Sequence, residues 1–205
     1  MKKLVYVGIT GRMGSGKDTV ADSIKKHYDD ALIHIARFAA PIKEVAALYF
    51  DISPEVLQNT ELKNTTLIPF QTVDASISVR GLLQGIGTAM RGIHTNFWVE
   101  LFHRMYGPKE FIKNYGYPTY DRDVVVLIPD LRYKNEEEYI RRKNGIIIKV
   151  ERPQELGDNS IHAHVSETSH ASICEDYLVS NNGTVEDLYQ QTTEVIRMIK
   201  ECKGV

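Results

Sequence analysis

Gly8-Ile9-Thr10-Gly11-Arg12-Met13-Gly14-Ser15-Gly16-Lys17-Asp18-Thr19 decides the fold of this chain. An apolar run from Leu4 to Val7 precedes it, and a helix-like run from Val20 to Tyr28 follows. Within it, Gly11-x-x-x-x-Gly16-Lys17 matches the phosphate-binding P-loop up to its last position, where Ser or Thr is expected and Asp18 stands. Glycines at 11, 14 and 16 let backbone N–H groups turn inward around phosphates at a helix N-terminus. Lys17 would reach the β- and γ-phosphates as a point charge. A glycine-rich strand-to-helix turn without a ligand is the plain alternative, and a Lys at the required offset argues against it. The stretch predicts a bound nucleoside triphosphate.

Outward from this loop the chain alternates strands and helices. Leu4–Ile9 reads as a strand buried on both faces of a parallel sheet. Further strands are predicted at Leu32–Phe38, Asp123–Ile128, Ile146–Val150 and Tyr177–Val179. Asn135–Lys143 predicts a helix with Asn135 as N-cap, acidic residues in the first turn, basic residues in the last, and Asn144-Gly145 as the stop. Thr184 predicts the cap of a closing helix whose apolar face is Leu188, Val195, Ile196 and Ile199. Five strands with crossover helices imply an open parallel α/β sheet.

Roughly 80 residues separate the second and third strands, far more than one crossover needs. This stretch reads as helical, with a helix start at Ser53-Pro54-Glu55. Trp98, Leu101, Phe102 and Met105 recur at helical spacing and predict a core face. An inserted helical subdomain is a place for a second substrate. The division expected is a single domain over 1–205, with a core at 1–40 and 120–205, an insertion at about 41–119, and a lid-like segment at about 152–172.

Composition bounds the function. The chain has 205 residues, 42% hydrophobic and 25% charged, as expected of one globular domain. A net charge of −2 provides no broad basic surface, so nucleic acid is not the expected partner. Two cysteines without framework spacing point to a reducing, cytoplasmic setting, and no apolar stretch approaches a membrane span. Met1-Lys2-Lys3 before an apolar run reads as the start of a buried strand, because the run breaks at Gly8 and Thr10 without a cleavage-like segment.

Two further constellations carry chemistry. Arg80, Gln84, Gly87, Thr88 and Arg91 fall on one helix face, with Val79, Leu82, Leu83, Ile86 and Met90 on the other. Three glycines in that helix are unfavourable for a merely solvated face, and Arg suits bidentate phosphate contact, so a substrate-facing surface is expected. Ile128-Pro129-Asp130-Leu131-Arg132 ends the strongest strand, where open parallel sheets bind ligands. Asp130 there can hold Mg²⁺ and Arg132 can neutralise a transferring phosphoryl group; a surface Asp–Arg pair is the bland alternative. Arg152-Pro153 opens a polar segment, Gln154–Ser172, read as a lid, whose His162, His164 and His170 are taken as loop histidines rather than metal ligands.

Taken in order, Gly16-Lys17-Asp18-Thr19 with Ala21-Asp22, Arg37-Phe38-Ala39-Ala40-Pro41-Ile42-Lys43, Leu83-Gln84-x-x-Gly87-Thr88, Phe97-Trp98-Val99, Pro129-Asp130-Leu131-Arg132 with Asn135-Glu136, and Asn181-Asn182-Gly183-Thr184 resemble the deoxynucleoside monophosphate kinases of tailed bacteriophages. The resemblance covers most of the chain. It implies a P-loop NTPase, three-layer α/β/α with a five-stranded parallel sheet, an inserted helical acceptor-binding subdomain and a lid. It implies transfer of the γ-phosphate of ATP to a deoxynucleoside 5′-monophosphate with Mg²⁺, in a homodimer, in the host cytoplasm if phage-encoded.

Carried onto this chain, Gly11, Gly14, Ser15, Gly16, Lys17, Asp18 and Thr19 would bind ATP, with Arg152 near the adenine or the lid. Arg37, Lys43, Arg80, Gln84, Thr88, Arg91 and Trp98 would hold the acceptor nucleotide. Lys17, Asp18, Asp130 and Arg132 would be catalytic, with Asp18 and Asp130 at the metal. Asp18 departs from the general P-loop pattern, and it is expected to take over metal positioning from the missing hydroxyl. Dephospho-coenzyme A kinase, a phosphomevalonate-type kinase and a non-catalytic nucleotide-dependent binding module are the alternatives.

Overall fold

Strand β1 (Leu4–Thr10) is buried along its whole length, and its neighbours on both sides run parallel to it. In a computed structural model, residues 3–70, 72, 75–115, 122–152 and 172–205 are described. Contacts divide the chain into two units, Met1–Phe38 with Phe102–Val205, and Ala39–Leu101.

The first unit carries β1, α1 (Lys17–His27), β2 (Ala31–Ile35), α7 (Pro108–Tyr115), β5 (Asp123–Ile128), α8 (Lys134–Arg142), β6 (Ile146–Glu151), β7 (Tyr177–Ser180) and α9 (Val185–Glu201). The five strands form one parallel sheet in the order β2-β5-β1-β6-β7, so the expected α/β sheet is present. The connection from β1 runs to β2 on one side and that from the neighbouring β5 runs to β6 on the other, which makes the carboxyl ends of β1 and β5 a topological switch point. Near-continuous Val and Ile runs fit strands covered on both faces.

Alternate residues serve the two faces. Val5, Val7 and Ile9 join Val125, Leu127, Ile148, Val150 and Val179 beneath α1 and α9, whose Val20, Ile24, Leu188, Val195 and Ile199 complete one core. On the other face Tyr6 stands edge-on to Tyr139 of α8, and Phe102 and Phe38, tilted against one another, both meet Tyr139 edge-on. Burial pushes the Tyr6 phenol far above its usual range, so it stays protonated and donates to the Tyr106 carbonyl at 2.5 Å.

Two expectations are adjusted here and a third holds. The second strand stops at Ile35, short of Phe38, because the chain turns so that the Phe38 N–H reaches the Asp130 carboxylate at 3.1 Å. Asn135 is not the cap of α8: Tyr133 is, and Glu136 reaches back to accept from the N–H groups of Arg132 at 2.9 Å and Tyr133 at 3.1 Å. The closing helix is capped by Thr184 as read, with Asp187 returning the bond.

The second unit holds α2 (Ala40–Phe50), α3 (Pro54–Gln58), α4 (Thr60–Thr65), β3 (Leu67–Phe70), β4 (Ala75–Ser78) and α5 (Val79–Ile93), with α6 (Phe97–Tyr106) beginning in it. It is not wholly helical, since β3 and β4 pair antiparallel with Ile68 opposite Ile77. Ile68 and Ile77 pack onto a core of Ala46, Ile52, Leu57, Val79 and Leu82. Ser53 and Ser78 cap α3 and α5 by accepting from Val56 and Gly81. The buried side of α6 is Trp98, Val99, Phe102 and Tyr106, with Leu101 and Met105 only half-buried, so the stripe lies slightly round from the expected one. No described helix is long and apolar enough to cross a membrane.

Phe102 is 1% exposed amid aromatic rings, so Phe102→Ala should lower unfolding free energy by about 3–5 kcal/mol in a urea titration. His34 on β2 sits against Tyr106, Phe111 and Tyr115, and burial, with Lys25 adding to it, holds its imidazolium below the usual histidine range. The unfolded chain therefore binds the proton more readily, and the stability His34 contributes is present above its ordinary value of 6.5 and lost as pH falls toward its folded value. Melting curves between pH 7.5 and 5.5 should show a decline that His34→Gln makes shallower.

Candidate phosphate site

The polypeptide leaves β1 at Thr10 and enters α1 at Lys17 through six residues, and three of them, Gly11, Gly14 and Gly16, take φ values of 143°, 76° and 98°. L-residues with side chains rarely adopt such values. Space is as restrictive as torsion. A Cβ on Gly11 would lie 2.3 Å from the Val150 carbonyl oxygen, and one on Gly16 would lie 2.5 Å from the Asn181 amide nitrogen. The loop is thus pressed onto the ends of β6 and β7 and curls over the N-terminus of α1. A helix start with free N–H groups and positive dipole end favours an anion.

Each predicted residue of this unit has a definite place. Lys17 opens α1, and its ammonium donates to the carbonyls of Gly11 at 2.8 Å and Arg12 at 2.5 Å. The Ser15 hydroxyl is buried and has no hydrogen-bond partner among the described residues. A buried hydroxyl left unmatched is unfavourable, and a ligand oxygen entering the loop is one way to satisfy it. Asp18, in the first turn of α1, forms an ion pair with Arg37 from the loop after β2. Thr19 is exposed in the same turn. Asp130 follows β5 and ties down that loop through Phe38 N–H. Arg132 follows two residues later, its backbone fixed by Glu136. Arg152 is exposed just beyond β6. All of these belong to the carboxyl ends of β1, β2, β5 and β6.

The other predicted residues lie in the second unit. Lys43 is half-buried on α2. On α5, Arg80 donates to the side-chain oxygen of Asn64, and Gln84 and Thr88 share its face. Arg91 donates to the Gly87 carbonyl at 3.1 Å, and the buried Trp98 indole donates to the same oxygen at 3.0 Å. The indole N–H is therefore engaged in fixing the middle of α5. The lid-like segment expected at about 152–172 lies, over 153–171, outside the described residues, and His162, His164 and His170 are among those.

Asn181 has a place in the site that its sequence reading does not assign. It follows β7, its backbone N–H donates to the Glu151 carbonyl at 2.7 Å, and its side-chain amide donates to the Ser15 carbonyl at 2.9 Å. It also fills the space a side chain at Gly16 would need. The only sequence signal is its place in Asn181-Asn182-Gly183-Thr184, directly after a strand. Glu136 and Asn181 act alike, each fixing backbone that carries a functional side chain or amide.

A magnesium ion that travels with a nucleotide takes most of its ligands from phosphate and water and needs one or two carboxylates. Asp18 and Asp130 fit that modest demand. Among the described residues no group of three His, Cys, Asp or Glu side chains could hold a metal on its own.

A family model for deoxynucleotide monophosphate kinase matches residues 54–192. A protein of Acanthamoeba polyphaga mimivirus carrying that kinase name is 30% identical over 202 residues, which is 92% of this chain and 94% of that protein. The deoxynucleotide monophosphate kinase of Escherichia phage RB69 is 29% identical over 178 residues, 82% of this chain and 65% of its own. The family match begins beyond the glycine loop. The phosphate site and the family match are therefore separate lines of support.

Asn181→Ala should raise the KM for a nucleoside triphosphate about tenfold while leaving the melting temperature near that of the unaltered protein, because it releases the Ser15–Gly16 backbone without opening the core. Steady-state kinetics beside a thermal melt check this.

Proposed function

This chain belongs to the deoxynucleotide monophosphate kinase family, and from that premise we propose how its residues divide the work of moving the γ-phosphoryl group of ATP to a deoxynucleoside 5′-monophosphate. The observation that carries the reading is the glycine loop curled over the N-terminus of α1 at the switch point of a parallel sheet. Gly11, Gly14, Ser15 and Gly16 supply inward backbone N–H groups to the triphosphate, and Thr19 stands in the same first turn. Lys17 exchanges the carbonyls of Gly11 and Arg12 for phosphate oxygens. Arg152, beyond the end of β6, flanks the nucleoside side of the donor.

Phosphoryl transfer between phosphates asks little covalent chemistry of the protein. The acceptor oxygen is already anionic at neutral pH, so no general base is assigned. What remains is alignment and the offsetting of charge on the transferring group. Arg132, on a loop braced by Glu136, is placed for the second task. Asp18 and Asp130 would hold the magnesium ion, which when bound neutralises β- and γ-phosphate charge.

Acceptor binding is assigned to the second unit. Arg80 and Arg91 on α5 have the planar donors suited to a monophosphate, with Gln84 and Thr88 on the same face and Lys43 on α2 adding charge. Trp98 contributes by holding Gly87 in the middle of α5. A hydroxyl acceptor, as in dephospho-coenzyme A kinase, would call for a free carboxylate base. Asp130 accepts from Phe38 N–H and Asp18 is paired with Arg37, which favours the phosphate acceptor.

Purified protein with ATP, Mg²⁺ and a panel of dTMP, dGMP, dCMP, dAMP, the ribonucleotides and dephospho-coenzyme A should form deoxynucleoside diphosphates, read by chromatography. Lys17→Met should lower that rate by at least about a thousandfold with the fold intact by circular dichroism. ATP hydrolysis without a phosphorylated acceptor would sink the assignment.

A further inference from the structure

Asp18 places a negative charge where the incoming triphosphate would bring several more. At the N-terminus of α1 the carboxylate is favoured by the helix dipole, but it competes for the field that would attract phosphate. Like charge at that range opposes binding. The structure supplies the remedy in Arg37, whose guanidinium reaches across from the loop after β2 and pairs with Asp18. That loop is held on either side of Arg37, by Ala36 N–H on the Leu127 carbonyl at 2.9 Å and by Phe38 N–H on Asp130 at 3.1 Å.

The pair has little to do for folding. The Asp18 and Arg37 side chains are 70% and 38% exposed, and such pairs contribute about 0–1 kcal/mol to stability. Its effect falls on whatever charged ligand enters the loop beside it. We infer that Arg37 is the fixed counter-charge of Asp18, and that this pair sets the affinity of the glycine loop for the donor nucleotide before any metal arrives. Arg37 thereby belongs to the donor side of the site rather than to the acceptor. The inference rests on the glycine loop being the ATP site, and it makes Asp18 tolerable in a position where other phosphate loops place a hydroxyl.

The test is a double-mutant cycle on nucleotide binding, not on turnover. ATP affinity of the full chain is measured by calorimetry with EDTA and again with excess Mg²⁺, for the unaltered protein, Arg37→Ala, Asp18→Asn and both together, with thermal melts as a check on folding. Without metal, Arg37→Ala should weaken ATP by about tenfold, because it leaves the Asp18 charge bare. Adding Asp18→Asn to Arg37→Ala should restore affinity to within about twofold of the unaltered protein, and Arg37→Lys should keep most of it. With Mg²⁺ the Arg37→Ala loss should shrink.

Unchanged metal-free affinity in Arg37→Ala, or a double variant as weak as Arg37→Ala, would overturn the proposal. So would an Arg37→Ala effect confined to the KM of the deoxynucleoside monophosphate. Transfer to the acceptor panel is scored separately, so a protein that binds ATP but phosphorylates no deoxynucleotide defeats the kinase assignment and leaves the cycle readable. No ATP binding by the unaltered protein removes the premise and the proposal together.

Discussion

The carbonyl of Val150 lies so near the Cα of Gly11 that a single methyl group there would meet it at 2.3 Å. That closeness is the constraint on which the site depends. It holds the chain leaving β1 against the end of β6, and the loop then enters the N-terminus of α1 at the carboxyl end of the sheet's central strand. The parallel pairing of β1 with β5 and β6 then brings the loops after β5 and β6 to the same end. A sheet of this connectivity concentrates loop termini at the carboxyl ends of its strands, where charged groups can be held without being buried.

The acidic and basic groups at that end are arranged through backbone as much as through one another. Asp130 braces the loop that carries Arg37, Glu136 braces the loop that carries Arg132, and Asn181 braces the phosphate loop itself. Each brace is a polar side chain accepting from or donating to main chain, so the position of the backbone does not depend on the side chains it carries. Preset geometry of this kind is what in-line transfer requires, since misplacement of an ångström can lower rates a hundredfold or so.

Much of this was legible in sequence, and the exceptions have physical causes. Asp123-Val-Val-Val-Leu-Ile reads as a central strand because both its faces are buried, leaving no ambiguity of period. The glycine loop reads itself, since few other contexts need that spacing. The β3–β4 hairpin did not: its strands are four residues each, one contains Pro69, and with Ser76 and Ser78 in the other there is no periodicity long enough to register. Tyr133 displaced Asn135 as the cap because Glu136 reaches back to the N–H groups of Arg132 and Tyr133, which starts the helix two residues earlier. The partnerships of Asn181 with Ser15, 166 residues away, and of Asp18 with Arg37 are tertiary facts that no local pattern encodes.

Lys17 lends the loop one more property. With its ammonium bonded to the carbonyls of Gly11 and Arg12, the side chain staples its own loop closed from within. A segment with glycines at 11, 14 and 16 would otherwise be among the most conformationally free in the protein, and ordering it at the moment of binding would consume much of the affinity gained. The staple moves that ordering into folding, where the rest of the domain supports it. On the proposed reading, an incoming polyphosphate would meet a loop already ordered and would take the place of two carbonyls at Lys17, so that the entropy of loop closure is settled before the encounter.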